Sequence, residues 1–416
     1  MDQSNAMKKI LILGANTETI PLIQTAQKMG VFVIVTDNVA TSPAKKYADK
    51  AMNIDGKDLD SIVKFCRAEG IDTVLVGVAD KLVQTYSKVC DTLGINSYIN
   101  LSAASVLSNK RLFDEYCLSY GLKSIPKIEL PIADQKIYDD GILLKPSDGC
   151  SGKGIYVARS QEELERYMPL SKEHSLSGDI LLERCMTGDE LFAYFSIVDG
   201  EVYLSGIADK LTNKTQGITG KVILNSIYPS KYAKLFYDTQ YEKINLLIKS
   251  LNVQTGLFMI SAFVKDNEFY LYDPGSRLQG EGPDVILKHF YGFDHKEMLI
   301  NYALGQNDYF PPNINQNDYM LDGNHAATVW LLGKTGVIDK IIGLENIIDK
   351  FGVYHYLQRL YPTDTITEAM VKTEAQVIAR IYTQANTKEK LDKNIRNIRN
   401  HIKVLDTNSE DMLIYE

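Results

Sequence analysis

The sequence has few cysteines and no arrangement of cysteines and histidines typical of a zinc site. Its 416 residues include five widely spaced cysteines without a C-x-x-C pair. The six histidines form no H-E-x-x-H or similar cluster. An odd number of scattered cysteines is typical of a reduced protein, and the missing ligand pairs argue against a zinc site. We therefore expect a cytoplasmic protein.

Two further absences limit the partners. There is no run of about 18 apolar residues, so no membrane span is predicted. Lys and Arg number 45 against 53 Asp and Glu, a net charge of −8, so the basic surface typical of general nucleic-acid binding is missing. No signal sequence is recognised, and residues 1–6 ("MDQSNA") are interpreted as a vector-derived scar.

The first 100 residues alternate short apolar runs with amphipathic helical patterns. "KKILILG" (8–14) and "VFVIVTD" (31–37) are such runs, and the alternation predicts a parallel, doubly wound α/β sheet. A nicotinamide or flavin site would require G-x-G-x-x-G after the first strand. Only Gly14 of "GANTET" is present, so a tight strand-to-helix turn is the favoured interpretation.

After residue 100 the pattern becomes α+β. Residues 100–122 predict one helical stretch, and "KDNE" (265–268) predicts a hairpin turn. The tail combines a β-like segment, "HAATVWLLGKTGVID", with two predicted amphipathic helices, "TEAQVIARIYTQA" and "TKEKLDKNIRNIRNHI".

"ILLKPSDGCSGKGIYV" (142–157) carries the first chemical signal. Lys145 ends an apolar run beside a loop with three glycines. Glycines let backbone N–H groups approach phosphate oxygens, and the lysine would supply positive charge. The loop leads into another β-like run, which argues against a Walker loop. A hairpin turn with a surface lysine is the alternative.

Further motifs occur in a fixed order around this segment. They are "TDNVATSPAKKYADK" (36–50), Lys110 in "SNKRLF", "DILLERCMTGDELFAYF" (179–195) and "LYDPGSRLQGEG" (271–282). From about residue 8 to 310 the chain resembles the ATP-grasp superfamily in its carboxylate–amine ligase branch. Members of this branch include the carbamoyl phosphate synthetase large chain, biotin carboxylase and the ATPase subunit of phosphoribosylaminoimidazole carboxylase.

The resemblance implies three units. They are a preATP-grasp α/β domain (7–102), an ATP-grasp domain (103–310) with a small lid of about 127–188, and a C-terminal module (311–416). It also suggests a homodimer.

The resemblance assigns most site residues to ATP. Lys110 and Lys145 would contact the α- and β-phosphates. Glu183 would accept from the adenine amino group, and Glu190 would bind the ribose hydroxyls. The backbone of Arg184 and Met186 would line the adenine edge. The loop over the β- and γ-phosphates would contain Gly149, Ser151, Gly152, Lys153 and Gly154.

The remaining residues belong to the reaction. Lys210 would lie near the γ-phosphate or the acid. Asp273 would bind Mg²⁺, with Mn²⁺ as an alternative, and Arg277 would hold the transferring phosphoryl group. The acid is expected between the N-terminal domain and the core, near Arg277 and Asp80. The implied reaction activates a small carboxylate as an acyl phosphate, which a small amine attacks.

The metal ligands depart from the family pattern. The family usually has a carboxylate or glutamine where this chain has Ser261, and E-x-N-P-R where it has D-P-G-S-R. Gly275 thus replaces a ligand, and Glu281 is the candidate substitute. This departure supports a second hypothesis, a degenerate ATP-grasp protein that binds ATP in a regulatory or non-catalytic role. No motif indicates which acid or amine is used.

Overall fold

The N-terminal sheet positions one side of the site. A computed structural model describes residues 7–132, 134–149, 153–213, 222–280, 282–306 and 318–415. The first elements are β1 (Lys9–Leu13), α1 (Ile20–Lys28), β2 (Phe32–Thr36), β3 (Lys50–Met52), α2 (Leu59–Glu69), β4 (Val74–Val76) and α3 (Asp80–Leu93). The strands pair in parallel in the order β3-β2-β1-β4, which confirms the predicted doubly wound sheet.

The predicted helical stretch at 100–122 is two helices, α4 (Leu101–Ser108) and α5 (Lys110–Ser119). They separate at Asn109, whose backbone is extended and whose side chain accepts from the backbone N–H groups of Arg111 and Leu112. An Asn side chain that satisfies these otherwise unpaired N–H groups starts a new helix. Lys110 is therefore the first residue of α5. The short strand β5 (Lys123–Ser124) follows.

A small sheet with its own core follows. Its elements are α6 (Ile137–Asp140), β6 (Ile142–Pro146), β7 (Tyr156–Ala158), α7 (Gln161–Lys172) and β8 (Ile180–Arg184). The antiparallel order is β7-β6-β8. Apolar side chains of these elements form a separate cluster that includes Ile142, Leu144 and Leu164. This unit lies within the predicted lid.

A ten-stranded sheet forms the centre of the molecule. Its first part includes β9 (Asp189–Val198), β10 (Glu201–Thr212), β11 (Ile223–Tyr228), α8 (Ala233–Phe236), α9 (Glu242–Ser250), β12 (Gly256–Lys265), β13 (Glu268–Gly275), α10 (Pro283–Tyr291) and α11 (His295–Ala303). A π-helical turn at Tyr237–Tyr241 joins α8 to α9. The predicted hairpin turn between β12 and β13 is confirmed, with Asp266 and Asn267 at positive φ.

The last elements extend the same sheet. They are β14 (His325–Gly333), β15 (Gly336–Ile342), β16 (Val353–Gln358), β17 (Thr365–Ile366), β18 (Val377–Ala385), α12 (Lys388–His401), β19 (Lys403–Asp406) and β20 (Leu413–Ile414). The strand order is β16-β18-β14-β11-β10-β9-β12-β13-β5, with β20 beside β14. The predicted C-terminal module is thus joined to the core by the pairing of β14 with β11. A separate three-stranded sheet has the order β17-β15-β19.

One predicted helix is wrong. The segment "TEAQVIARIYTQA" contains β18, not a helix, whereas α12 confirms the second predicted helix. β18 lies between β16 and β14 and buries both faces, with Tyr382 packed on the main core and Ile381 on the C-terminal core. Its β-branched and aromatic residues suit a central strand better than a surface helix. Across the described ranges, no helix has the length and apolar character needed to cross a membrane.

Candidate functional site

Lys110 and Lys145 lie beside the glycine-containing loop. Lys110 Nζ donates to the carbonyl oxygen of Gly149 at 2.5 Å. Lys145 is buried on β6, and its Nζ lies 2.9 Å from Glu183 Oε2. Burial acts to lower the pKa of Lys145, but Glu183 and Asp273 outweigh it and raise the pKa. Lys145 is therefore a buried lysine that keeps its positive charge.

Glu183 lies between two lysines. The residue is fully buried, with Oε1 against Lys127 Nζ and Oε2 against Lys145 Nζ. Lys127 Nζ also lies 2.5 Å from Asp114 Oδ2. Burial raises the pKa of Asp114, and the Lys127 ammonium acts in the opposite direction. If Glu183 binds adenine as predicted, the adenine amino group would have to share the Glu183 carboxylate with Lys127 and Lys145.

Glu190 and Lys210 are paired on neighbouring strands. They face each other across β9 and β10, with Lys210 Nζ 2.9 Å from Glu190 Oε2. The Tyr272 hydroxyl donates to Glu190 at 2.7 Å and accepts from Lys210 at 3.4 Å. Burial acts to lower the pKa of Lys210, while Tyr272 and Glu190 outweigh it and raise the pKa. The sheet thus fixes one carboxylate and one ammonium side by side.

Asp273 sits where β13 departs from regular pairing. The register with β12 shifts there, and Asp273 has φ +46°. Bulges of this kind redirect side chains. Asp273 is solvent-exposed, and the pKa of its carboxyl group is lowered. Desolvation by the surrounding protein acts to raise this pKa, but the positive charges of nearby lysines outweigh that effect. These lysines are, in order of influence, Lys145, Lys110, Lys210 and Lys127.

Arg277 bridges two parts of the chain. Its Nε and Nη2 donate to the two carboxylate oxygens of Asp80 at 2.6 and 2.5 Å, and its Nη1 donates to the carbonyl oxygen of Leu278. Asp80 is the first residue of α3, so the bridge connects the N-terminal sheet with the loop after β13. The sequence placed the acid near this pair, and the structure brings its two members together.

The predicted metal ligands provide only one described carboxylate, Asp273. Ser261 is buried on β12 opposite Tyr272, and Gly275 has no side chain to offer. Among the residues that the structure describes, no group of three or more His, Cys, Asp or Glu could hold a metal ion. Magnesium in nucleotide sites usually takes one or two carboxylates, phosphate oxygens and water. Asp273 therefore fits an ion that arrives with a nucleotide, not a resident one.

Other predicted residues surround this centre. Gly154 has φ +74°, and a Cβ there would lie 2.6 Å from His174 Cβ, so the position favours glycine. Lys153 is exposed, and Met186 is buried. Arg184 N donates to the Pro126 carbonyl oxygen at 3.0 Å. Three predicted residues lie outside the described ranges, namely Ser151, Gly152 and Glu281.

Three site residues were missed from the sequence. Tyr272 directly precedes Asp273 on β13. Once the register of β13, β12 and β9 is known, the alternation of side chains along a strand places Tyr272 on the same face of the sheet as Glu190. Lys127 and Asp114 had no local signal. They meet Glu183 only because the segment after β5 runs beside β8.

Comparisons with known proteins identify the fold of the chain. A family model described as "PylC-like, N-terminal domain" matches residues 10–90. A phosphoribosylglycinamide synthetase from Anaerococcus prevotii superposes with a TM-score of 0.75 at 17% identity, covering 96% of this chain and 100% of that one. The biotin carboxylase domain of the Hydrogenobacter thermophilus 2-oxoglutarate carboxylase gives a TM-score of 0.73 at 18% identity, covering 95% and 90%.

The fold is an ATP-grasp fold. The predicted resemblance and fold class are confirmed. A relative by sequence is the formate-dependent phosphoribosylglycinamide formyltransferase of Bacteroides fragilis, 30% identical over 167 residues. That match covers 38% of this chain and 42% of the relative, so the chain spans less than half the length of this relative.

Proposed function

We propose that the protein is an Mg·ATP-dependent ligase that joins a small carboxylic acid to a small amine. The observation that carries this proposal is the buried Lys145, which lies near the end of β6 next to the glycine-containing loop that Lys110 also contacts. Two lysines beside such a loop suit the phosphates of a nucleotide, and Asp273, whose pKa these lysines lower, suits the accompanying magnesium ion. A surface lysine in an ordinary hairpin would not be buried and paired as Lys145 is.

ATP would extend from Glu183 towards Asp273. Lys110 and Lys145 would contact its phosphates, and Glu190 would bind the ribose while paired with Lys210. The biotin carboxylase domain of similar fold was crystallised with MgADP and bicarbonate, which supports a site for a magnesium–nucleotide complex in this fold. Asp273 would hold Mg²⁺, or Mn²⁺, with its carboxylate, and the ion would supply charge neutralisation during phosphoryl transfer.

The reaction would proceed in two steps. A carboxylate oxygen of the acid attacks the γ-phosphorus of ATP, the bond to the β-phosphate oxygen breaks, and ADP leaves. The amine nitrogen then attacks the acyl phosphate carbon, loses a proton and expels phosphate. Arg277 would hold the phosphoryl group, and Lys210 would offset charge on it.

Several features remain part of this proposal. They are the domain limits at residues 102 and 310, the lid of about 127–188, the homodimer and the cytoplasmic location. The homodimer is suggested by comparison with the biotin carboxylase domain of similar fold, which was crystallised as a dimer.

A second function is favoured by one specific observation. Ser261 and Gly275 stand where the family usually has metal-binding groups, and Asp273 is the one carboxylate among the predicted ligands that the structure describes. A protein with this site could bind ATP without turnover and act as a nucleotide sensor.

The nucleotide part is tested by calorimetric titration with Mg·ATP. Lys145→Ala should weaken binding about tenfold or more, because loss of a charged contact costs about 1.5–3 kcal/mol. The matched control is Lys249→Ala, which removes an exposed lysine paired with Glu201. Unchanged affinity in Lys145→Ala would contradict the whole assignment.

The reaction is tested with hydroxylamine, which traps acyl phosphates as hydroxamates. The protein is incubated with Mg·ATP, hydroxylamine and a broad panel of carboxylic and amino acids, and ADP and hydroxamate are measured together. Formation of both with one acid supports the ligase and identifies that substrate. ATP binding without either product across the panel favours the non-catalytic function.

A further inference from the structure

Four charged side chains form a continuous chain of ion pairs beside the proposed nucleotide site. They are Asp114, Lys127, Glu183 and Lys145. Lys127 Nζ contacts both Asp114 and Glu183, and Glu183 contacts Lys145 through its other oxygen. The exposed fraction of these side chains falls from 30% for Lys127 and 13% for Asp114 to 8% for Lys145 and 1% for Glu183.

The group comes from four separate segments. Asp114 is on α5, Lys127 follows β5, Lys145 is on β6 and Glu183 is on β8. Lys127 and Glu183 form an isolated antiparallel bridge, and the Ile128 N–H donates to the carbonyl oxygen of Leu182. The backbone therefore holds Lys127 opposite Glu183, so their side-chain contact does not depend on a flexible loop.

The charges of the group balance. Two lysines and two carboxylates sum to zero, and the Glu183 carboxylate acts to raise the pKa values of both Asp114 and Lys145. Glu183 and Lys145 alone would also be neutral. The outer pair of Lys127 and Asp114 therefore adds no net charge to the group. It does give Glu183 a second lysine contact, because Lys127 binds Glu183 as Lys145 does.

We propose that Lys127 and Asp114 are a positioning pair for Glu183 and Lys145. The charges of this pair adjust the electrostatic environment of Glu183 and Lys145 and so determine the affinity for the nucleotide. By sharing Glu183, Lys127 weakens the hold of this carboxylate on Lys145 and leaves the Lys145 ammonium more able to bind a phosphate. Asp114 limits this effect by sharing Lys127. The inference rests on the proposed function, because it deepens the same nucleotide site.

The two single substitutions should act in opposite directions. Lys127→Met leaves two carboxylates around Lys145 and a net negative charge, so Mg·ATP binding should weaken about tenfold. Asp114→Asn leaves a net positive charge, so Mg·ATP binding should be tighter than in the wild type. The double variant restores neutrality and should return to within about threefold of the wild type.

A purely structural role would give a different pattern. If the pair only fastened α5 to the segment after β5, both single variants would lower thermal stability and neither would tighten binding. Lys127→Arg keeps the charge and should restore the affinity that Lys127→Met loses. Lys123→Met is the matched control, because it breaks the exposed Lys123–Glu268 ion pair in the same segment.

The experiment is calorimetric titration of Mg·ATP into the wild type, Lys127→Met, Asp114→Asn, the double variant, Lys127→Arg, Lys123→Met and Lys145→Ala. Opposite single effects that cancel in the double variant support the proposal. Weaker binding in both single variants, or no change in Lys127→Met, overturns it. If Lys145→Ala binds as the wild type does, the proposed function itself fails. If only Lys145→Ala weakens binding, the failure concerns this inference alone.

Discussion

At the scale of single residues, His295 is a buried histidine without a charge. It is 3% exposed, and its Nε2 lies 2.7 Å from the Ser196 hydroxyl oxygen. Burial lowers the pKa of His295 to about 4, although Asp284 and Asp294 act to raise it. The residue is therefore neutral in the folded protein at neutral pH.

This burial predicts a stability that depends on pH. A histidine in the unfolded chain titrates near 6.5, so between pH of about 6.5 and 4 the unfolded chain binds a proton that the folded protein does not. The free energy of unfolding should fall by up to about 3 kcal/mol as the pH drops through this window. Urea unfolding across the window measures this change. His295→Gln should flatten the dependence, and the exposed control His174→Gln should keep it; an equal slope in His295→Gln contradicts the assignment.

Tyr272 supports the ribose end of the proposed site. Tyr272→Phe removes the hydroxyl that links Glu190 and Lys210 but keeps the ring. Mg·ATP binding should weaken about three- to tenfold, since a hydrogen bond contributes about 0.5–1.5 kcal/mol. Tyr270→Phe on the same strand is the control in the same titration. Equal affinities of the two variants would show that the hydroxyl does not position Glu190.

At the scale of elements, the start of α5 couples helix stability to the site. Asn109 caps this helix, and Lys110 is the next residue. Asn109→Ala should lower the free energy of unfolding by about 0.5–2 kcal/mol and also weaken Mg·ATP binding, because the first turn holds Lys110. Thr387→Ala removes the cap of α12 and should cost similar stability without a change in ATP affinity. Melting temperatures and titrations on both variants make the comparison; intact binding in Asn109→Ala would contradict it.

The elements that sequence alone predicts are those whose pattern is local. The strands and helices of the N-terminal sheet follow from apolar runs and periodic helices, and the β12–β13 turn follows from its residues. The sequence predicts a helix at β18 because the burial of both faces of this strand comes from the main core and the C-terminal core, most of whose residues are distant in sequence. A strand buried on two sides has no alternation to reveal it.

The same reasoning applies to the candidate site. Lys110, Lys145, Asp273 and Arg277 were found because their order along the chain resembles a known family. Lys127 was not, because its contacts with Asp114 and Glu183 arise only when separate segments pack. The partners of a side chain in such a group cannot be deduced from residue spacing.

At the scale of the whole molecule, one carboxylate connects the first and last parts of the chain. Glu18 Oε1 lies 2.8 Å from Arg359 Nε and 3.1 Å from Arg380 Nη1. Arg380 is fully buried and lies 4.3 Å from the centre of the Trp330 ring system. Burial acts to raise the pKa of Glu18, and the two arginines outweigh it and lower the pKa.

Loss of this carboxylate should destabilise the whole chain. Glu18→Gln leaves Arg380 buried with less compensation, and breaking a buried ion pair costs about 3–5 kcal/mol. Urea unfolding followed by Trp330 fluorescence measures the change. Glu201→Gln, which breaks an exposed pair with Lys249, should cost less than about 1 kcal/mol. Similar small losses in both variants would mean that Glu18 does not join the two parts.

The bridge between Asp80 and Arg277 has a consequence for how a substrate enters. The two oxygens of Asp80 already occupy two donors of the guanidinium, in the geometry that a free carboxylate would adopt. An acid that binds Arg277 must therefore compete with the Asp80 carboxylate for the guanidinium group. Each binding event exchanges one carboxylate for the other. Because Asp80 belongs to α3, that exchange would also break an ion pair that joins the N-terminal domain to the loop after β13.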